Sequence, residues 1–86
     1  MPPHSDDLER ALIALGQAIH EARRAKNLTQ EELALRTNLH VTYIGVIERG
    51  QRNPTWGVVR RISYALDLPL AELARRAVEF ERGERR

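Results

Sequence analysis

Cysteine is absent from this chain of 86 residues. Disulfides and thiolate metal sites are therefore excluded, and a reducing cytoplasm is compatible with the composition. No apolar run approaches the roughly 18 residues that span a membrane. The first residues, MPPHSDD, lack the apolar segment of a secretion signal. Strand signals are missing as well: β-branched residues are scattered, and apolar positions recur at helical spacing. The three histidines, His4, His20 and His40, have no convergent spacing, so no metal site is expected. Ser5 and Ser63 have no His–Asp arrangement near them, and no glycine-rich phosphate loop occurs, so an enzyme is not expected and no cofactor is implied. What remains is one small all-α domain.

Excess charge is also slight, at +2, but its distribution is uneven. Between Leu33 and Leu66 the sole acid is Glu48, against Arg36, Arg49, Arg52, Arg60 and Arg61. Acids gather near both ends and at Glu31 and Glu32. A basic central segment fits a positive face for phosphate contact, although solvated arginines would read the same way.

That central segment, LTQEELALRTNLHVTYIGVIERGQRNP, reads as two short helices, a tight turn between them, and a basic loop. Thr29 and Glu32 make a Thr-x-x-Glu capping box for the first of the pair. Asn38 suits the left-handed conformation that ends it. The next helix is expected from Val41 to Arg49, with His40 as a poor N-cap and Gly50 as its stop. On that helix Ile44, Ile47 and Glu48 share one side, and Thr42, Gly45, Val46 and Arg49 share the other. The second side carries few of the long charged residues that usually cover a solvated helix. A short helix with a small-residue outer face fits a DNA major groove about 12 Å wide.

The remaining elements follow the same periodic logic. A first helix is expected from Asp6, as its cap, to about Lys26, with Leu8, Ala11, Leu12, Leu15, Ala18, Ile19 and Ala22 as its stripe. Gly16 interrupts that stripe at a cost of about 1 kcal/mol relative to Ala, which points to close approach by another helix. Leu8 and Leu12 are expected to meet the C-terminal helix. Thr55 caps a fourth helix, Trp56 to about Leu66, ended by Asp67. Pro69 opens the fifth, striped by Leu70, Leu73, Ala74, Ala77 and Phe80. The expected domain is 7–81, with a disordered tail at 1–6 and a frayed tail at 82–86.

Gly16, Ile19, Arg23, the run Leu28-Thr29-Gln30, Leu33-Ala34, Tyr43-Ile44, Ile47-Glu48-Arg49-Gly50, Pro54, Ala65-Leu66 and Leu73 together resemble the lambda-repressor-like family, also called the XRE or Cro type. The resemblance implies a compact five-helix fold with a helix-turn-helix at the second and third helices. It implies base contacts from Val41, Thr42, Gly45 and Val46. It implies phosphate contacts from Gln30, Tyr43, Arg49, Arg52 and Asn53, and a structural ion pair between Arg23 and Glu48. Each has a plainer alternative: Gln30 as a capping amide, Tyr43 as half-buried packing, Val46 as a residue covered by a partner.

Direct hydrogen-bond readout is expected to be weak, because the valines offer only methyl groups and Thr42 one hydroxyl. Groove shape would then supply part of the specificity. The resemblance further implies a transcriptional regulator on double-stranded DNA, acting as a homodimer, with restriction-modification controllers as a fitting subclass. Phe80, Ala77 and Leu73 are the candidate interface residues, with core packing as the competing role. The rival function is an antitoxin-like or adaptor module that binds another protein through Val41, Val46 and Tyr43.

Overall fold

The computed structural model describes residues 5–85, with side chains from Asp7 onward. Among the described residues there are five helices and no strand: α1 (Ser5–Ala25), α2 (Gln30–Thr37), α3 (Val41–Glu48), α4 (Trp56–Ala65) and α5 (Leu70–Glu81). None is long and apolar enough to cross a membrane. Since α1 begins at Ser5, Asp6 lies inside the helix instead of capping it, and the expected tail loses its last two residues to α1. Residues 1–4 of that tail, and Arg86 of the other, lie outside the described residues.

Local chemistry sets the boundaries. The Thr29 hydroxyl accepts the Glu32 N–H at 3.0 Å, and the Glu32 carboxylate accepts the Thr29 N–H at 2.8 Å. Two orphan donors at the start of α2 are thereby satisfied. The same backbone bond holds the Glu32 carboxyl below its ordinary value. Thr55 caps α4 through the Val58 N–H at 3.2 Å. His40 precedes α3 without a side-chain cap bond. Pro69 stands at the N-cap of α5, one residue before its expected place in the first turn.

Every helix stops on a residue with positive φ: Asn27, Asn38, Gly50, Asp67 and Gly83. The following N–H then reaches back to a carbonyl of the last turn, as in Leu39 to Ala34 at 3.0 Å and Gln51 to Val46 at 2.9 Å. This is the Schellman arrangement, which satisfies carbonyls the helix leaves free.

The core gathers Ala18, Ile19, Ala22, Leu28, Leu33, Ala34, Ile44, Ile47, Ile62, Leu66 and Leu73. α1 runs against α5 in the most extensive helix contact and also supports α3, while α2 packs on α3 and α4. Gly16 is buried, and a Cβ there would lie 2.4 Å from the Glu48 carbonyl oxygen. The close approach that its position in the stripe implied is that of the α3 C-terminus.

Two expectations about apolar faces need correction. Leu8 does not settle against α5 but stays 43% exposed, with Leu12 half-buried. The ion pairs to α1 gather at Glu21, which pairs with Arg76 of α5 and with Arg85 beyond its end, more than three turns from Leu8. Leu73, offered as an interface residue, is fully buried within the monomer. Ala77 and Phe80 are half-buried and pack against the same core. In the segment set aside as a C-terminal tail, Arg82 caps α5, and Arg85 bonds Glu21 at 2.7 Å and Glu79 at 2.8 Å.

Candidate nucleic-acid interface

The fold hangs α3 between α1 and α2 by one charged cluster. Arg23 from α1 donates through Nε to Glu48 Oε2 at 2.7 Å and through Nη2 to Glu48 Oε1 at 3.0 Å. Its Nη1 donates to the Leu28 carbonyl at 2.7 Å, so the guanidinium also pins the α1–α2 turn. The two side chains are only 7% and 4% exposed. Burial by itself would raise the Glu48 carboxyl, but the bonds from Arg23, His20 and Gln30 outweigh it and hold the group below its ordinary value. The Arg23 guanidinium is raised by the same bond to Glu48. The expected ion pair is present, and it is bidentate.

His20 escaped the sequence reading. Its Nδ1 lies 3.0 Å from Glu48 Oε1, although the ring is half exposed. The signal was its place one turn before Arg23 on α1, which brings both to the same neighbour.

With Glu48 turned inward, the exposed charge from Leu33 to Leu66 is wholly positive. Arg36, Arg49, Arg52, Arg60 and Arg61 are all exposed. Arg61 bonds the Thr37 carbonyl at 3.2 Å and so ties α4 to the end of α2. Arg60 lies over the Tyr64 ring at 4.9 Å, a cation–π contact on the outer side of α4.

The outer side of α3 opens onto a shallow groove lined by Gln30, Val41, Thr42, Gly45 and Arg49. Thr42 is exposed and Val46 half-buried. Val41 is also half-buried, with part of its surface packed against the core, so less of it faces outward than a base-contact role implies. Gly45 is buried, not open, because Arg49 and Gln30 close over it. Tyr43 packs partly against the core, and Arg52 and Asn53 stand exposed in the loop beyond α3. Gln30 is not a capping amide: its Nε2 donates to Glu48 Oε1 at 3.2 Å.

Residues 19–73 match a family model described as helix-turn-helix, and that stretch includes both helices of the pair and the turn. The chain belongs to this family. It is the XRE type of transcriptional regulator, not a family of enzymes. This helix-turn-helix protein is 40% identical over 62 residues to control protein C.BamHI of Bacillus amyloliquefaciens, covering 71% of the chain and 76% of the relative. It resembles the crystal structure of the restriction-modification controller protein C.AhdI from Aeromonas hydrophila, with a TM-score of 0.71 at 42% identity, over 72% and 94% of the two chains. It also resembles the controller protein C.Esp1396I, solved as a tetramer in complex with its natural 35 base-pair operator. There the TM-score is 0.76 at 31% identity, over 83% of this chain and 93% of the other.

Proposed function

We propose that this protein is a sequence-specific transcriptional regulator of the cytoplasm that inserts α3 into the major groove of duplex DNA, as a homodimer on an inverted repeat. Within the family, the likeness to control proteins supports the restriction-modification controller subclass. The observation that carries the reading is the inward turn of Glu48, the one acid between Leu33 and Leu66. It leaves the stretch from Leu33 to Leu66, which holds α3 and its loop, with arginines as its only exposed charge. Arg52, Asn53 and the Tyr43 hydroxyl hold backbone phosphates, which position the protein. Thr42, Val46 and the outward part of Val41 meet base edges and thymine methyls.

Selection from a random duplex library is expected to enrich an inverted repeat with half-sites about one helical turn apart. Affinity for it should fall steeply with salt, because phosphate contacts release counterions. A folded protein that enriches nothing would end this reading. A second reading, an adaptor for another protein, draws on Leu35, 82% exposed at the rim of a groove with Leu39, His40 and Val41. Binding through that surface would depend little on salt.

The dimer face is better sought on the outer stripe of α5 than at Leu73. Leu70, Ala74 and Val78 recur at i, i+4 and i+8 outside the core, and Val78 is 42% exposed. Val78→Glu is expected to give a folded monomer by light scattering and circular dichroism and to weaken binding to the repeat at least ~10-fold, with a melting temperature that no longer rises with protein concentration. An intact dimer would move the interface elsewhere.

A further inference from the structure

We propose that the empty side-chain position at Gly45 is the base-reading notch of α3, and that it takes a guanine–cytosine pair. Arg49 would donate to the guanine and Gln30 would accept from the cytosine. The inference rests on the DNA-binding reading above, and it reassigns two residues expected at phosphates.

Arg49 caps α3, and long helical side chains lean toward the helix N-terminus. Here the lean is complete. The Arg49 Nη1 comes within 3.2 Å, and its Cζ within 4.0 Å, of where a Cβ of residue 45 would stand. The guanidinium therefore lies one turn back, beside the middle of the outer face, instead of beyond the helix end where a phosphate would be met. Its Nε donates to Gln51 Oε1 at 3.2 Å, which fixes the plane and leaves the Nη1 and Nη2 edge for a ligand. Arg49 has no carboxylate partner among the described residues.

Gln30 borders the same notch from α2, its Oε1 3.6 Å from the same point. Which end of the amide faces outward is decided by chemistry: Nε2 faces the Glu48 carboxylate, which accepts only. The oxygen is thus the outward group.

A fork of donors beside one acceptor matches the major-groove edge of a guanine–cytosine pair, where guanine offers N7 and O6 and cytosine offers its N4 amino group. An adenine–thymine pair presents a donor where the fork needs an acceptor. The sparse polar chemistry of Val41, Thr42 and Val46 leaves this notch as the place where hydrogen bonds can discriminate. A glycine at 45 makes it possible, because any side chain would push the guanidinium aside.

Library selections with the native protein, Arg49→Lys and Arg49→Ala, followed by binding to the enriched site with 7-deazaguanine at its guanines, test the assignment. The native protein should enrich one guanine per half-site and lose roughly ten-fold or more when that guanine lacks N7. Arg49→Ala should bind native and substituted sites equally. Arg49→Lys should keep the salt dependence and weaken the preference, because lysine keeps the charge without the planar fork. Gln30→Ala should relax the same position. Gly45→Ala should raise the melting temperature by helix propensity and still weaken the guanine preference.

An even loss across all sequences in Arg49→Ala, with the salt slope reduced by about one, would make Arg49 a phosphate contact and overturn the proposal. So would a guanine preference that survives Arg49→Ala. If the native protein enriches no site, DNA reading itself fails, and this assignment with it. Melting curves of each variant separate loss of contact from loss of fold.

Discussion

Gly16→Ala is expected to destabilise the protein by about 3 kcal/mol or more, although alanine is the better helix former by about 1 kcal/mol. The added Cβ would stand 2.4 Å from the Glu48 carbonyl oxygen, 2.6 Å from that of Ile47 and 2.8 Å from the Glu48 carbonyl carbon. All three are backbone atoms, so no rotamer change relieves the collision. α1 and α3 would have to separate, loosening the Arg23–Glu48 pair that joins them. In a domain of this size the loss amounts to a fall in melting temperature on the order of 15 °C. Thermal unfolding followed by circular dichroism measures it directly. A variant that melts at or above the native temperature would mean that the two helices have room to spare.

Glu48→Ala carries an effect of similar size, about 3–5 kcal/mol, because it leaves the Arg23 guanidinium buried without its carboxylate. Arg23→Ala should cost at least as much, since the Leu28 carbonyl also loses its donor. DNA affinity should fall in both, through the loosened seat of α3. An unchanged melting temperature in Glu48→Ala would contradict the structural role.

Acid supplies an independent check. The folded-state value of Glu48 is lowered from 4.5. Its contribution is therefore fully present above the ordinary carboxylate range and is lost as the pH falls through the lowered value. The native protein should lose stability progressively below about pH 5, and Glu48→Gln should show a shallower decline across that window. Glu72, held at about 2 by bonds from Arg75 and Arg76, loses its own contribution across the same window, but equally in both proteins. The difference between the two proteins is then assigned to Glu48.

Much of the architecture was legible because it is written locally. Thr29 with Glu32, Asn38, Gly50, Thr55 and Asp67 each act on atoms within one or two turns, so their meaning survives without knowledge of the fold. Gly16 was legible for a related reason, since a costly residue in an apolar stripe demands a close neighbour. The α5 surface was not. Leu73, Ala77 and Phe80 form one stripe, and Leu70, Ala74 and Val78 form another beside it. Periodicity alone cannot tell which of two adjacent stripes the core takes. The pairing of Arg85 with Glu21 is equally hidden, because 64 positions separate two residues that look solvated. At the DNA-facing surface, helical spacing placed Gly45 and Arg49 on one side. Spacing says nothing of where a long side chain lies, so the guanidinium folded over the glycine is a feature of the three-dimensional structure alone.

The left-handed helix stops bear on how such a protein diverges. Asn38 and Gly50 fix where α2 ends and α3 ends without help from the residues facing outward between them. Ile44 and Ile47 anchor α3 from beneath. Thr42, Val46 and the Arg49 side chain are consequently under no obligation to the scaffold, whereas Gln30 is held to it through Glu48. A lineage could exchange them one after another and acquire a new operator, while the frame that presents them stayed as it was.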